Sequence, residues 1–161
     1  MSEVLYFGYG ANRSADMMKA IIGRKPQGFH AVLRGYELCV QRWEDVPENV
    51  REILSHHWTP DFRSYCIRPG KGEVLGNVWS LTELERELFD EWKIYDLWYQ
   101  PINVHVKRYD GKEVEVESDM VDNPNLQIVN DLHYRTFLND KRKMLEVAVQ
   151  TREEFLRKTK R

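Results

Sequence analysis

The chain has 161 residues, a size that one hydrophobic core commonly serves, so we predict a single domain over residues 1–161. Its 24 basic and 26 acidic residues give a formal net charge of −2, which provides no overall field for nucleic acid or an anionic membrane. Hydrophobic residues make up 42% of the chain and aromatic residues 12%, a composition that excludes general disorder. We therefore expect a small-molecule ligand that is recognised locally, and the oligomeric state stays open.

Two features of the chain bear on its compartment. The cysteines, Cys39 and Cys66, fall in separate runs of strand character without metal-binding spacing, so we interpret them as reduced thiols of the core. The start Met1-Ser2-Glu3 leads directly into an apolar strand, without the basic region and apolar run of an export signal. These features predict a cytoplasmic protein.

The first 22 residues predict a strand, a tight loop and a helix. Val4-Leu5-Tyr6-Phe7 has the continuous apolar character of a buried strand, and the glycines of Gly8-Tyr9-Gly10 permit a tight loop after it. A helix is expected over residues 14–22, where Ser14 is a suitable N-cap residue.

The next part of the chain predicts strands in pairs. Two short strands are expected within residues 30–40, with Arg34-Gly35 between them as a hairpin or a bend. Two more are expected within residues 64–81, joined as a second hairpin by Pro69-Gly70-Lys71-Gly72. Between the pairs, residues 43–61 are rich in charge and contain two prolines, which predicts an inserted flap.

A capping box marks the start of the middle helix. The spacing of Thr82 and Glu85 is that of a helix N-terminus, and the pattern predicts a helix that ends near residue 93. The predicted apolar face consists of Leu84, Leu88, Phe89 and Trp92.

The last third predicts a hairpin followed by two helices. Asp110-Gly111 is the strongest short hairpin signal in the sequence and lies between strands predicted at about 99–109 and 113–120. Helical patterns follow around residues 131–139 and from about 141 to 158.

The opening Leu5-Tyr6-Phe7-Gly8-Tyr9-Gly10-Ala11-Asn12 resembles the signature of the γ-glutamylcyclotransferase family, in which a first strand ends in a Tyr-Gly-Ser-Asn loop. Later segments follow the family's order, with a strand Gly76-Asn77-Val78-Trp79, a helix closing on Phe89-Asp90-Glu91, and then Tyr99. The resemblance covers nearly the whole chain. It implies an α+β fold with a mostly antiparallel, barrel-like sheet and peripheral helices, and it implies no cofactor.

The resemblance also implies a chemistry. In that family the loop backbone holds the substrate, while a Glu at the end of the middle helix accepts a proton and later returns it. The amine of a γ-glutamyl compound attacks its own side-chain carbonyl, and pyroglutamate and a free amine result. By this resemblance the substrate-binding residues here would be Tyr9, Gly10, Ala11, Asn12 and Tyr99, with Ala11 in place of the usual Ser.

The catalytic position departs from the family pattern. The resemblance places Lys93 where the family has its Glu, six positions before Tyr99. An ordinary lysine pKa near ~10.4 keeps the side chain cationic at neutral pH, so it cannot accept a proton from the substrate. Asp119 falls where the family commonly has a pocket Tyr, and we hypothesise that Lys93 and Asp119 face one cavity as an ion pair or as a relocated acid and base. Glu91 is a further candidate base, although its glutamate neighbours suit a solvated helix surface.

Two functions remain open on the sequence. The first is a cyclotransferase-like enzyme that releases pyroglutamate from γ-glutamyl amines or peptides, and the second is an inactive relative whose pocket binds a small anionic or flat metabolite. A lysine in a pocket with backbone N–H donors favours the binding of a carboxylate or phosphate.

Two other site types are weighed against these. Gly8-Tyr9-Gly10 could begin a dinucleotide loop, but Arg13 stands where a third glycine is needed. His56-His57 suggests a metal site, yet no Cys/His cluster of ligand spacing accompanies it.

Overall fold

The computed structural model describes residues 3–94, 97–123, 125–131 and 134–159. Within these residues the strands are β1 Val4–Gly8, β2 Gly28–Gln41, β3 Ser64–Leu81, β4 Gln100–Arg108, β5 Glu113–Met120 and β6 Gln127–Ile128. The helices are α1 Ala15–Ile22, α2 Glu48–Leu54, α3 Glu83–Lys93 and α4 Lys141–Thr159, with 3₁₀ turns at Ala11–Arg13 and Trp43–Asp45. None of the described helices has the length and apolar character needed to span a membrane.

The sheet closes on itself as a barrel. Its strand order is β3-β1-β5-β4-β2, and β2 pairs again with β3, so five strands form a ring to which β6 adds at the edge of β2. Among the described strands, β1 and β5 pair in parallel and the other pairs are antiparallel. The predicted α+β fold with a mostly antiparallel, barrel-like sheet is confirmed.

Alternation along the strands divides the core into layers. On β1, Phe7 is buried inside the barrel together with Ile67 and Val116. The preceding residue, Tyr6, points to the opposite face, where it packs with α1, α3 and α4 through residues such as Phe89. Fully burying one such side chain contributes about 1.5–3 kcal/mol, so both layers stabilise the barrel.

Local signals in the sequence proved reliable where they act through short-range hydrogen bonds. The Ser14 side chain accepts a bond from the Met17 N–H (3.3 Å) and caps α1 as predicted. The capping box of α3 is formed in both directions between Thr82 and Glu85. The Asp110-Gly111 turn joins β4 and β5, with Gly111 at φ 86° in the left-handed region that glycine favours.

The prediction of a hairpin at Pro69–Gly72 is wrong. β2 and β3 are each one continuous strand, and they pair with each other along nearly their whole length. Of the two alternatives at Arg34-Gly35, the structure has the bend: the register shifts there, and Gly35 lies at φ 84°. A Cβ at Gly70 would lie 2.4 Å from the Glu37 side chain, so this glycine permits close strand contact rather than a chain reversal.

Two helix predictions also need correction. Residues 134–139 are not helical, while residues 132–133 of the predicted segment lie outside the described residues. Distant parts of the chain bind this segment. The Arg13 side chain donates to the Tyr134 carbonyl, the Arg63 N–H donates to Asn139 Oδ1, and Asn139 Nδ2 donates to the Arg63 carbonyl. Leu84, expected on the apolar face of α3, is 54% exposed, whereas Leu88 and Phe89 of the same predicted face are buried.

Residues 43–61 contain the second 3₁₀ turn and α2. Val46 and Val50 are buried against Phe62 and Trp98, in a cluster that also contains both cysteines. The segment is therefore packed onto the barrel through its apolar positions. Its action as a flap and the single-domain organisation stay predictions.

Glu85 provides a test of how α3 is held. It accepts bonds from Arg24 Nε (2.5 Å) and Nη2 (2.7 Å) and from the Thr82 N–H (2.8 Å). Burial opposes its charge, but the bonds from Arg24 and Thr82 outweigh burial and lower the pKa of Glu85. Because the folded pKa lies below the unfolded one, this stabilisation is present above an ordinary value of about 4.3 and is lost as pH falls through the folded value.

We therefore expect Glu85→Gln to lower the free energy of unfolding at neutral pH by more than it does near pH 3. Urea denaturation at the two pH values measures the difference. Glu87→Gln, an exposed position on the same helix, is the matched control and should change little at either pH. An effect of Glu85→Gln that is the same at both pH values would contradict this account.

Candidate functional site

A cavity of about 920 Å³ lies beside the barrel. Its wall is formed by the loop after β1, the C-terminal end of α3, residues 53–65 and one face of α4. The structure brings most of the sequence-predicted site residues to this wall, namely Tyr9, Gly10, Ala11, Asn12, Glu91, Lys93 and Tyr99. These residues come from positions 9 to 99 of the chain and meet only because the barrel closes.

Lys93 and Asp119 form an ion pair at the base of the cavity. The Lys93 Nζ lies 3.7 Å from Asp119 Oδ1. The Lys93 side chain is 12% exposed and reaches the cavity, whereas Asp119 has no exposed surface and lies behind the wall. The two residues hypothesised to share a cavity are thus in contact, and the lysine is the one that a ligand can reach.

Two tyrosine hydroxyls also bind Asp119. Tyr6 donates to Oδ2 at 2.6 Å and Tyr9 donates to Oδ1 at 2.9 Å. Burial, and next the charge of Asp119, raise the pKa of Tyr9 well above its ordinary value, so its hydroxyl keeps its proton and remains a donor. Both oxygens of the carboxylate are therefore engaged.

Tyr99 holds the other side of the lysine. The Lys93 Nζ lies 3.7 Å from the centre of the Tyr99 ring, a cation–π distance. The Tyr99 hydroxyl donates to the Tyr65 carbonyl, accepts from Gln41 Nε2 (3.0 Å) and contacts Ser64 Oγ (2.6 Å). These bonds fix the ring on which the ammonium rests.

The charge of Lys93 is subject to two opposing effects. Burial lowers the pKa of Lys93 below its ordinary value, while the neighbouring Asp119 carboxylate opposes that change. The desolvated ammonium is stabilised by its carboxylate partner and by the Tyr99 ring.

The position of α3 on β5 explains why these two residues meet. Arg86 of α3 donates to Glu117 of β5 through Nε at 2.9 Å and also contacts Asp90. Lys93 follows Arg86 by two helical turns, and Asp119 follows Glu117 by two strand residues on the same face. A single placement of α3 along β5 therefore sets both charge contacts, that of Arg86 with Glu117 and that of Lys93 with Asp119.

The loop after β1 carries an unsatisfied polar atom. Asn12 is 6% exposed, lines the cavity, and its Oδ1 is buried without a hydrogen-bond partner among the described residues. The loop itself is fixed, since Trp79 Nε1 donates to the Asn12 carbonyl at 2.7 Å. A Cβ at Gly8 would lie 2.4 Å from that carbonyl oxygen, so only glycine fits there. The free Asn12 oxygen can accept an N–H from a ligand.

The other residues that the sequence singled out take no part in the contacts of Lys93 and Asp119 among the described residues. Glu91 is exposed on the cavity wall, and no contact between it and Lys93 or Asp119 is found among the described residues. His56 and His57 lie on the rim, and the described part of the chain contains no cluster of three or more metal-binding side chains. Cys39 and Cys66 are buried free thiols that face each other across β2 and β3.

Sequence reasoning missed Tyr6 and Gln41. Tyr6 reads as an ordinary strand residue, and its contact with Asp119 depends on the parallel pairing of β1 with β5, which no local pattern indicates. Gln41 is fully buried and links Trp98 Nε1 (3.0 Å) to the Tyr99 hydroxyl. A polar residue at the end of a buried strand was the available signal, because such residues are normally hydrogen-bonded.

The ion pair can be tested by a double-mutant cycle. We expect Lys93→Met or Asp119→Asn alone to lower the free energy of unfolding by about 3–5 kcal/mol, because each leaves the other group buried without its opposite charge. The combined variant should lose less than the sum. Urea denaturation of the four proteins measures the coupling free energy.

The matched control is the exposed pair Lys158–Glu154, whose side chains are 70% and 57% exposed. Its cycle should give a coupling of at most about 1 kcal/mol. Additive losses at Lys93 and Asp119 would show that the two charges do not stabilise each other.

Comparison with known proteins identifies the fold. No protein-family model and no curated protein matches the chain. A solved γ-glutamyl cyclotransferase is 21% identical with a TM-score of 0.59, over 79% of this chain and 70% of that one. An uncharacterized human protein is 21% identical with a TM-score of 0.61, over 80% and 70%. A protein from Arabidopsis thaliana is 21% identical with a TM-score of 0.59, over 100% and 95%. The chain therefore has the γ-glutamylcyclotransferase fold.

Proposed function

We propose that the cavity binds a small carboxylate-bearing metabolite and that the protein does not cyclise γ-glutamyl compounds. The observation that carries this proposal is the Lys93–Asp119 ion pair at the base of the cavity. Cyclisation requires a group that accepts the proton of the substrate ammonium. The group that reaches the cavity from this pair is a cation, which attracts a carboxylate and repels an ammonium.

Asp119 is poorly placed to act as the proton acceptor. It has no exposed surface, and its two oxygens accept the Tyr6 and Tyr9 hydroxyls. A substrate amine could reach it only past Lys93. These contacts support a structural role for the carboxylate, in which it holds the lysine and both tyrosines in place.

The polar groups of the cavity indicate which polar groups the ligand carries. The Lys93 ammonium has three N–H donors, and its contact with Asp119 engages one carboxylate oxygen, so donors remain for a ligand carboxylate. On the loop, Asn12 Oδ1 is available to accept an N–H. A carboxylate together with an amine or amide N–H is the composition of an amino-acid derivative.

The apolar part of the cavity wall indicates that the rest of the ligand is apolar. Ile53 and Leu97 line the cavity and remain 42% and 49% exposed. Trp58, Trp92 and Phe155 add aromatic surface to the same wall. An apolar substituent on the ligand would remove this surface from water, at about 25 cal/mol for each Å² buried. We therefore expect an amino-acid derivative with an apolar group.

A cyclotransferase activity is the second candidate, and one observation favours it. Burial lowers the pKa of Lys93, and a lysine that loses its proton becomes a base that Asp119 could support. In this case Lys93 would accept the proton of the substrate amine and return it to the leaving amine.

Binding and turnover separate the two candidates. We expect γ-glutamylbenzylamide to give saturable binding in isothermal titration calorimetry and no pyroglutamate over the same period. Its α-carboxamide analogue, which lacks the carboxylate, should bind at least about tenfold more weakly, because a charge-assisted hydrogen bond is lost. Release of pyroglutamate by the wild type would overturn the binding proposal in favour of the enzyme.

Variants of the two polar contacts test the ligand's orientation. Asn12→Ala should weaken binding by about tenfold, since the loop then lacks its acceptor. Lys93→Arg keeps the positive charge and should retain more affinity than Lys93→Met. Equal affinity in all three variants and the wild type would place the ligand elsewhere.

Restoring a carboxylate tests the pocket as a catalytic scaffold. The combined variant Lys93→Glu with Asp119→Asn places a proton acceptor in the cavity without a second charge beside it. We expect this variant to release pyroglutamate faster than the wild type does. Thermal unfolding of the variant checks that the protein is folded in the assay.

A further inference from the structure

A second cavity, of about 490 Å³, lies where β2, β3 and β4 come together. It shares only Thr136 with the cavity described above. Among the described residues, its lining contains the cations Arg13, Arg34, Lys107 and Arg108 and a single acidic residue, Glu73. We call it the basic cleft. A local excess of positive charge is notable in a chain whose formal net charge is −2.

The basic cleft contains two buried donors without acceptors. Among the described residues, buried side-chain nitrogen or oxygen atoms that lack a hydrogen-bond partner occur at three places, Asn12 Oδ1, Arg13 Nε and Arg108 Nε. Two of the three are therefore arginine N–H groups in this cleft. Leaving such a group unbonded away from water is costly, so an acceptor supplied by a ligand would be stabilising.

Both arginines are held in place by aromatic rings. The Arg13 guanidinium lies 4.2 Å from the centre of the Tyr134 ring, and its Nη2 donates to the Tyr134 carbonyl (3.1 Å) and to Thr136 Oγ1 (2.9 Å). The Arg108 guanidinium lies 4.6 Å from the centre of the Phe29 ring. A cation fixed in this way loses little side-chain entropy when it binds an anion.

Few acidic groups compensate these charges. Glu73 pairs with Arg34 at 3.3 Å, at an exposed position. Asp110 Oδ1 lies 3.6 Å from Arg108 Nε, beyond hydrogen-bonding distance. Arg13 has only neutral hydrogen-bond partners among the contacts described. The cleft therefore keeps a positive charge after its internal pairs are formed.

A polar residue also connects the wall of the cleft to Arg13. His30 Nδ1 lies 2.6 Å from Asn77 Oδ1, and Asn77 Nδ2 donates to the Arg13 carbonyl at 2.8 Å. His30 directly precedes Ala31, which is paired with Arg108 of β4, so His30 and Arg108 lie close together across the sheet. The cations thus come from separate elements that the barrel pairing holds together.

We propose that the basic cleft binds a small phosphate-bearing molecule. Arginine N–H groups match phosphate oxygens in geometry and charge, and several cations facing one concave site favour an anion with more than one charge. A small ligand is favoured over a nucleic acid because the positive charge is confined to a cavity of about 490 Å³ on a chain with a net negative charge.

Calorimetric titration of the full chain with inorganic pyrophosphate at low ionic strength tests the proposal. We expect saturable binding at one site per chain, and weaker binding of inorganic phosphate because it carries less charge. Arg108→Gln and Arg13→Gln should each lower the pyrophosphate affinity by about tenfold or more. Lys19→Gln, which removes one exposed positive charge on α1, is the control and should leave the affinity unchanged.

The outcomes distinguish this site from general attraction and from the first cavity. Arg13 also binds the Tyr134 segment, so Arg13→Gln could lower affinity by destabilising the fold. If thermal unfolding shows that this variant is less stable, Arg108→Gln is the decisive variant. Absence of saturable binding, or an equal loss in Lys19→Gln, would overturn the proposal. Tighter binding of an oligonucleotide than of pyrophosphate would overturn the proposal that the ligand is a small molecule. Asn12→Ala should leave pyrophosphate binding intact, because Asn12 lines only the other cavity.

Discussion

The carboxylate of Asp119 is the group on which the first cavity depends. It sits on β5 without any exposed surface and contacts side chains from three other parts of the chain: Tyr6 of β1, Tyr9 of the loop and Lys93 of α3. Removing an ion from water costs several kcal/mol even after the protein relaxes, so a buried carboxylate is retained only where such partners surround it. The parallel pairing of β1 with β5 and the register of α3 supply these partners. Fold and site are therefore specified by the same contacts.

The two cavities differ in how their charges are satisfied. At the base of the first, a cation and an anion meet, and the tyrosines bind the anion, so the ammonium alone faces outward. In the basic cleft, arginines rest on aromatic rings and two of their N–H groups lack acceptors. In the first arrangement the two charges meet each other within the protein. In the second, two arginine N–H groups have no acceptor among the described residues, which is the basis for proposing an oxyanion ligand there.

The sequence predicted those features that depend on near neighbours. Ser14, Thr82 and Asp110-Gly111 act through bonds within a few residues, and each was placed correctly. At Arg34-Gly35 the sequence allowed a hairpin or a bend, and the structure has the bend. Pro69–Gly72 was wrongly predicted as a hairpin, because glycine permits both a reversal and a close approach of strands. The segment around Tyr134 carries a helical pattern, but its hydrogen bonds go to distant parts of the chain: Arg13 donates to the Tyr134 carbonyl, and the Tyr134 hydroxyl donates to the Tyr9 carbonyl. Of the site, the family resemblance brought Lys93 and Asp119 together, whereas Tyr6 and the basic cleft arise from strand pairings that no local pattern records.

The buried ion pair also constrains which residues positions 93 and 119 can tolerate. An acidic residue at position 93 would set two carboxylates side by side in a buried site. A neutral residue at position 119 would leave the Lys93 ammonium without its carboxylate partner, beside the Tyr99 ring. We expect either single replacement to lower the free energy of unfolding relative to the intact ion pair. The two positions are therefore expected to vary together, so that few combinations of residues are tolerated at this pair.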